Sequence, residues 1–158
     1  MRPCDLSGKR VLVTQATEFM GPVFCRVFAG LGADVIASDR ALDAVDAAAS
    51  IVTEAGHVDA LVANLAVPAP STPALEVDDQ EWRVLFDHMV DPLPRLCRAV
   101  LPQMIERRAG KILVMGSASA LRGMKRASSY SAARGAQLAY VQALGVEVAP
   151  HNVQVNAI

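Results

Sequence analysis

Apolar positions along the chain follow two rhythms. Short continuous runs, Val11-Leu12-Val13, Val35-Ile36-Ala37 and Ile112 to Met115, suit strands covered on both faces, which show no alternation; Val58 to Ala63 and Val153 to Ile158, interrupted by Asp59 and by Gln154 and Asn156, read as strands as well. Between them the period lengthens to that of helices. Val23, Phe24, Val27, Phe28 and Leu31 share one helical face and stop at Gly32; Asp43 to Ala55 reads as helix stopped by Gly56. Pro68, Pro70 and Pro73 make residues 65–77 loop, and Asp78 with Glu81 three residues later has the form of a capping box. A long helix from Glu81 to Arg108 follows, striped by Leu85, Met89, Leu93, Leu96, Val100 and Met104 and kinked by Pro92 and Pro94; a second runs from Ser128 to Val148. Strands alternating with helices predict an α/β fold, a doubly wound parallel sheet in one domain over residues 1–158. Ligands of such sheets sit at the carboxyl ends of the strands, which selects the loops after Thr14, Asn64 and Ser117.

Composition narrows the field. The 158 residues are 53% hydrophobic, yet no run of 18 apolar residues occurs and the amino-terminal MRPCDLSGKR lacks a signal-peptide core, so a cytoplasmic protein without a membrane partner is expected. Fifteen basic and sixteen acidic residues leave a net charge of −1 with no basic stripe, which argues against nucleic acid. Cys4, Cys25 and Cys97 have neither paired nor zinc spacing and are expected to pack; His57, His88 and His151 show no metal-ligand spacing, so no metal is expected.

Two constellations carry chemistry. The first loop, Thr14-Gln15-Ala16-Thr17-Glu18-Phe19-Met20-Gly21, has one glycine where a pyrophosphate cradle needs several, and Phe19 would project a ring into the cofactor's space. Asp39, after the second strand, reads as a solvated or capping carboxylate. In the second, Ser117 ends a strand, Tyr130 follows thirteen residues later, and Arg134 lies one helical turn beyond on the same face. A tyrosine phenol is a poor base near neutrality, and a fixed neighbouring cation favours its ionised form, so Tyr130 is a candidate base and Ser117 a candidate anchor for a substrate hydroxyl. For an arbitrary Tyr/Arg pair a solvated helix start is the commoner case; the position at the sheet's carboxyl end is what singles this pair out.

From Lys9 onward the chain resembles the short-chain dehydrogenase/reductases. The matching stretches are Val58-Asp59-Ala60-Leu61-Val62-Ala63-Asn64, Arg98 to Met104, Ser117 with Tyr130, and Asn152 to Ile158. Three departures from that family's oxidoreductases stand out: Arg134 replaces their lysine, Met89 their asparagine, and Gln15 and Phe19 two of their loop glycines. The same departures resemble the halohydrin dehalogenase branch, with Thr14, Phe19 and Gly21 matching its first-loop pattern and Ser117, Tyr130 and Arg134 its triad.

That resemblance implies a Rossmann-like sheet and a cofactor-free reaction: Tyr130 deprotonates a vicinal halohydrin held by Ser117, the oxygen displaces halide, and an epoxide forms, with the reverse opening epoxides by small anions. It implies a halide and substrate pocket bordered by Thr14, Phe19, Gly21, Asn64, Ser119 and Met124, and a homodimer or homotetramer built on the two long helices. Because relatives continue past Ile158, the chain also reads as truncated at its carboxyl end. Two alternatives stay open: an atypical NAD(P)-dependent oxidoreductase, and a non-catalytic protein on the same scaffold.

Overall fold

A computed structural model describes residues 4–158. Five parallel strands, β1 (Arg10–Thr14), β2 (Asp34–Ser38), β3 (Ala60–Ala63), β4 (Gly110–Val114) and β5 (Val153–Ala157), lie in the order β2-β1-β3-β4-β5. The register aligns Ile36, Leu12, Leu61, Ile112 and Val155 in one row across all five strands. This row is the floor of the main core. Over it pack α2 (Ala47–Ala55), α4 (Pro92–Glu106) and α5 (Ser128–Val148), contributing Ile51, Leu96, Val100, Met104, Val141 and Leu144. On the opposite face α1 (Gly21–Gly30) sets Phe24 against Val11, Val13 and Val62, while Leu113 and Met115 of the β4 strand and its exit are only partly covered. The chain turns back between β2 and β3, so a crevice opens outside the carboxyl ends of β1 and β3, where such sheets bind ligands.

The strands fall where the apolar runs predicted them; the helices differ in informative ways. α2 starts at Ala47 rather than Asp43, because the Arg95 guanidinium donates to the Leu42 and Asp43 carbonyls, at 3.4 and 3.2 Å, and draws that stretch away from a helical ladder. The single long helix from Glu81 to Arg108 is three pieces: α3 (Asp79–Leu85), a π-helical turn over Phe86–Val90, and α4. Pro92 has no N–H to give and sits at the first position of α4, where none is needed. Only half of the capping box forms. Asp78 accepts the Glu81 N–H at 2.7 Å, but the Glu81 carboxylate turns to the hydroxyls of Thr72 and Ser129, tying the 65–77 loop to the start of α5. On α1, Val27 is 49% exposed, so the apolar stripe read from sequence is wider than the buried one. Cys97 is buried, Cys25 half-buried, and Cys4 exposed, which corrects the expectation that all three pack. Among the described residues no helix is long and apolar enough to cross a membrane, and no cluster of three or more His, Cys, Asp or Glu side chains is placed to hold a metal.

Candidate active site

The loop leaving β1 holds Gln15 at φ 44° and Phe19 at φ 48°. These are left-handed conformations that cost a side-chain-bearing residue about 1–2 kcal/mol, and glycine far less. The loop thus keeps a glycine-type backbone with other residues on it. Gln15 is compensated: its Nε2 donates to the Ala66 carbonyl at 3.0 Å and its Oε1 accepts the Ala66 N–H at 2.8 Å, a two-point clamp across the crevice. Gly21 is required for a different reason, since a Cβ there would lie 2.0 Å from the Gln15 carbonyl oxygen.

Much of the loop's hydrogen-bonding capacity is spent within the chain. Several N–H groups of the loop and of the first turn of α1 are already bonded: Thr17 to the Asp39 carboxylate at 2.8 Å, Gly21 to the Glu18 carbonyl at 2.8 Å, and Val23 and Phe24 to the Met20 carbonyl; Pro22 has none. Asp39 is therefore a loop cap. A cavity of about 290 Å³ beside it is lined by Glu18, Asp39, Asp43 and Asp87, with Arg40 and His88 as the basic groups, a surface that opposes a polyanion.

Thr14, Asn64 and Gly21 form the frame of this region. Thr14 Oγ1 bridges the Val62 carbonyl and the Asn64 N–H, and Asn64 Nδ2 donates to the Gln15 and Glu18 carbonyls at 2.9 and 3.0 Å; Thr14 and Asn64 are both buried. Phe19 is 48% exposed and lines an open hollow of about 500 Å³ with Gln15, Ala66, Pro68 and His88. The ring thus faces open space in the crevice instead of packing in the core. Met124 lies exposed on the segment leading into α5, and Ser119 is buried.

The second constellation assembles at the ends of β3 and β4. Ser117 is extended and caps a short 3₁₀ turn, Ala118–Ala120, which packs on α5. Its Oγ accepts from the Ser119 N–H at 3.2 Å and the Ser119 hydroxyl at 2.9 Å, leaving its own hydrogen to donate elsewhere. Tyr130, in the first turn of α5, packs beside Leu85, Met89 and Ala133. Arg134 is buried, with 4% of its surface exposed, and its Nε donates to Tyr130 Oη at 3.0 Å. Its Nη1 reaches the Leu65 carbonyl at 3.1 Å, the Met115 carbonyl at 2.7 Å and Gln137 Oε1 at 2.9 Å. One guanidinium thus fastens both strand exits to α5. Gln137, Gln15 as a clamp and His88 in the crevice are absent from the sequence-level reading. Gln137 had one usable signal, a polar residue at helical spacing from Val141, Leu144 and Val148 on the buried face of α5.

The short chain dehydrogenase family model matches residues 41–158. The chain is 33% identical to 2-keto-3-deoxy-L-fuconate dehydrogenase of Xanthomonas campestris pv. campestris over 97% of its own length, and spans 58% of that protein. It is 34% identical to galactitol 2-dehydrogenase (L-tagatose-forming) of Cereibacter sphaeroides, covering 97% of this chain and 70% of that one. Among solved structures, a dehalogenation enzyme superposes with a TM-score of 0.89 at 30% identity, over 96% of this chain and 71% of that one. Sheet order, site position and these matches agree: the chain belongs to the short-chain dehydrogenase family.

Proposed function

We propose that the chain is a halohydrin dehalogenase, converting vicinal haloalcohols to epoxides without a nicotinamide cofactor. The observation that carries this reading is the Arg134 Nε bond to Tyr130 Oη, a buried cation on the phenol, beside a first loop in which Gln15 and Phe19 stand at left-handed positions and Gln15 is clamped to Ala66. Further support comes from the similarity to a dehalogenation enzyme.

In the proposed reaction Ser117, its oxygen occupied by Ser119, donates its hydrogen to the substrate oxygen and orients it. Tyr130 takes the substrate hydroxyl proton, helped by Arg134, which stabilises the phenolate. The alkoxide oxygen attacks the neighbouring carbon, a C–O bond forms, the C–halogen bond breaks, and halide leaves with the electron pair. Nothing is oxidised or reduced. Phe19 borders the leaving-group side; Ser119 and Met124 stand toward the substrate. Arg134 is held by neutral acceptors, so its charge is not cancelled by a carboxylate.

The names of the dehydrogenase relatives favour a second reading, an NAD(P)-dependent oxidoreductase. One assay separates them: the protein is incubated with a simple vicinal bromoalcohol, and bromide and proton release are followed with and without NAD(P)H. Bromide release independent of nucleotide, abolished in Tyr130→Phe and severely reduced in Ser117→Ala, is the expected result. Hydride transfer to a carbonyl, or unchanged bromide release in Tyr130→Phe, overturns the proposal.

A further inference from the structure

Gln137 sits on α5, one turn beyond Arg134, with 1% of its surface exposed. A buried primary amide is costly unless all of its groups are paired. Here they are: Oε1 accepts from Arg134 Nη1 at 2.9 Å, and Nε2 donates to the Met89 carbonyl at 2.5 Å and lies 3.5 Å from the Leu65 carbonyl. The amide has one workable orientation, because a flip would set NH₂ against the guanidinium and oxygen against carbonyls. Met89 lies within the π-helical turn, a distortion that opens the regular ladder and leaves its carbonyl for a side-chain donor.

We infer that Gln137 is a positioning residue: it holds the Arg134 guanidinium with Nε on the Tyr130 phenol, and its neutrality leaves the guanidinium charge to the phenolate. The inference rests on the proposed role of Tyr130 as base. The acceptors around Arg134 are Tyr130 Oη, two backbone carbonyls and this amide, and none of the ion pairs of the described residues involves it. Titratable groups on the elements packed against this part of α5 are otherwise committed or outward. Glu81 of α3 is bonded to Thr72 and Ser129, and Asp87 and His88 of the π turn are exposed. A carboxylate at position 137 would be the single carboxylate in contact with the guanidinium and would compete with the phenolate for it. With the amide removed, the Met89 carbonyl would lose its donor and draw the guanidinium away from the phenol.

The chain has two tyrosines, so in a Tyr140→Phe background the near-ultraviolet phenolate band reports Tyr130 alone. This readout needs no substrate. Gln137→Glu, nearly isosteric, is expected to move the appearance of that band to higher pH by about one unit or more relative to the Gln137 parent. Gln137→Met is expected to move it in the same direction, and the alkaline-rising limb of bromide release should move with it in both variants, with kcat affected more than KM. A purely structural role would lower the thermal midpoint and leave the band where it was; that outcome in either folded variant overturns the inference. If the parent releases no bromide, the dehalogenase reading fails, and the absorbance comparison still decides what Gln137 does.

Discussion

Gln15 offers the sharpest test of how the first loop is held. The residue sits at φ 44° and bonds Ala66 through both ends of its amide. Gln15→Ala keeps the left-handed backbone and deletes both bonds, each with a net worth of about 1 kcal/mol, so a loss of about 2 kcal/mol is expected. Gln15→Gly deletes the same bonds but relieves about 1–2 kcal/mol of backbone strain. It also gives the unfolded chain more freedom, at a cost of about 0.4–1 kcal/mol, leaving a net loss of about 1 kcal/mol. The expected order of stability is therefore Gln, then Gly, then Ala. For a chain of this size each kcal/mol corresponds to about 2–4 °C in Tm. Urea unfolding with the m value held as a control, together with thermal melts, measures both gaps. An alanine variant as stable as the parent would show that the clamp contributes nothing. A glycine variant less stable than alanine would show that the backbone there is unstrained.

Three other outcomes follow from groups away from the site. For Asp59, burial raises the carboxyl pKa, but the Arg10 N–H, then His57 and Lys9, outweigh it and hold the value below the ordinary carboxylate range. A depressed folded-state value gives stability that is present above the unfolded carboxyl value of about 4 and lost as pH falls through the folded one; Asp59→Asn should thus be destabilised at neutral pH, and urea midpoints should converge with the parent in acid. Burial pushes the Cys97 thiol up to about 12, against a weaker opposing bond from Tyr140, and burial likewise raises Tyr140. Raised acids favour the folded state below their unfolded values and withdraw that support as pH climbs, so stability should decline in alkali, and a disulfide reagent should modify exposed Cys4 at once and Cys97 only on unfolding. Val84 and Val146 leave apolar surface on α3 and α5, 43% and 79% exposed, and light scattering at high micromolar concentration should give a dimer or larger; a monomer would count against helix-mediated association.

The inner strands were the most legible part of this chain because a doubly covered strand declares itself as an apolar run, whereas the edge strand β5 alternates its valines with exposed Gln154 and Asn156. The Tyr130–Arg134 pair was legible because one turn of helix fixes its geometry locally. What stayed hidden depends on partners distant in sequence. The start of α2 is set by Arg95, the Glu81 carboxylate is captured by Ser129, and Gln15 finds Ala66 across the crevice. Gln137 was overlooked for a related reason: a glutamine on a helix ordinarily faces water, and only the opened carbonyl of a π turn makes a buried site for it.

The π turn over Phe86–Val90, closed by the Asp91 N–H on the Phe86 carbonyl at 3.0 Å, is an α-helix carrying one extra residue. Each residue of helix advances the face by about 100°, so adding or removing one here would rotate α3 against α4 by that amount. Leu85 would leave its neighbours and Glu81 would turn away from Ser129. A one-residue length change that a surface loop absorbs without effect would disconnect two parts of the protein at this point. In descendants of this sequence, substitution along 79–106 should therefore be far more frequent than insertion or deletion.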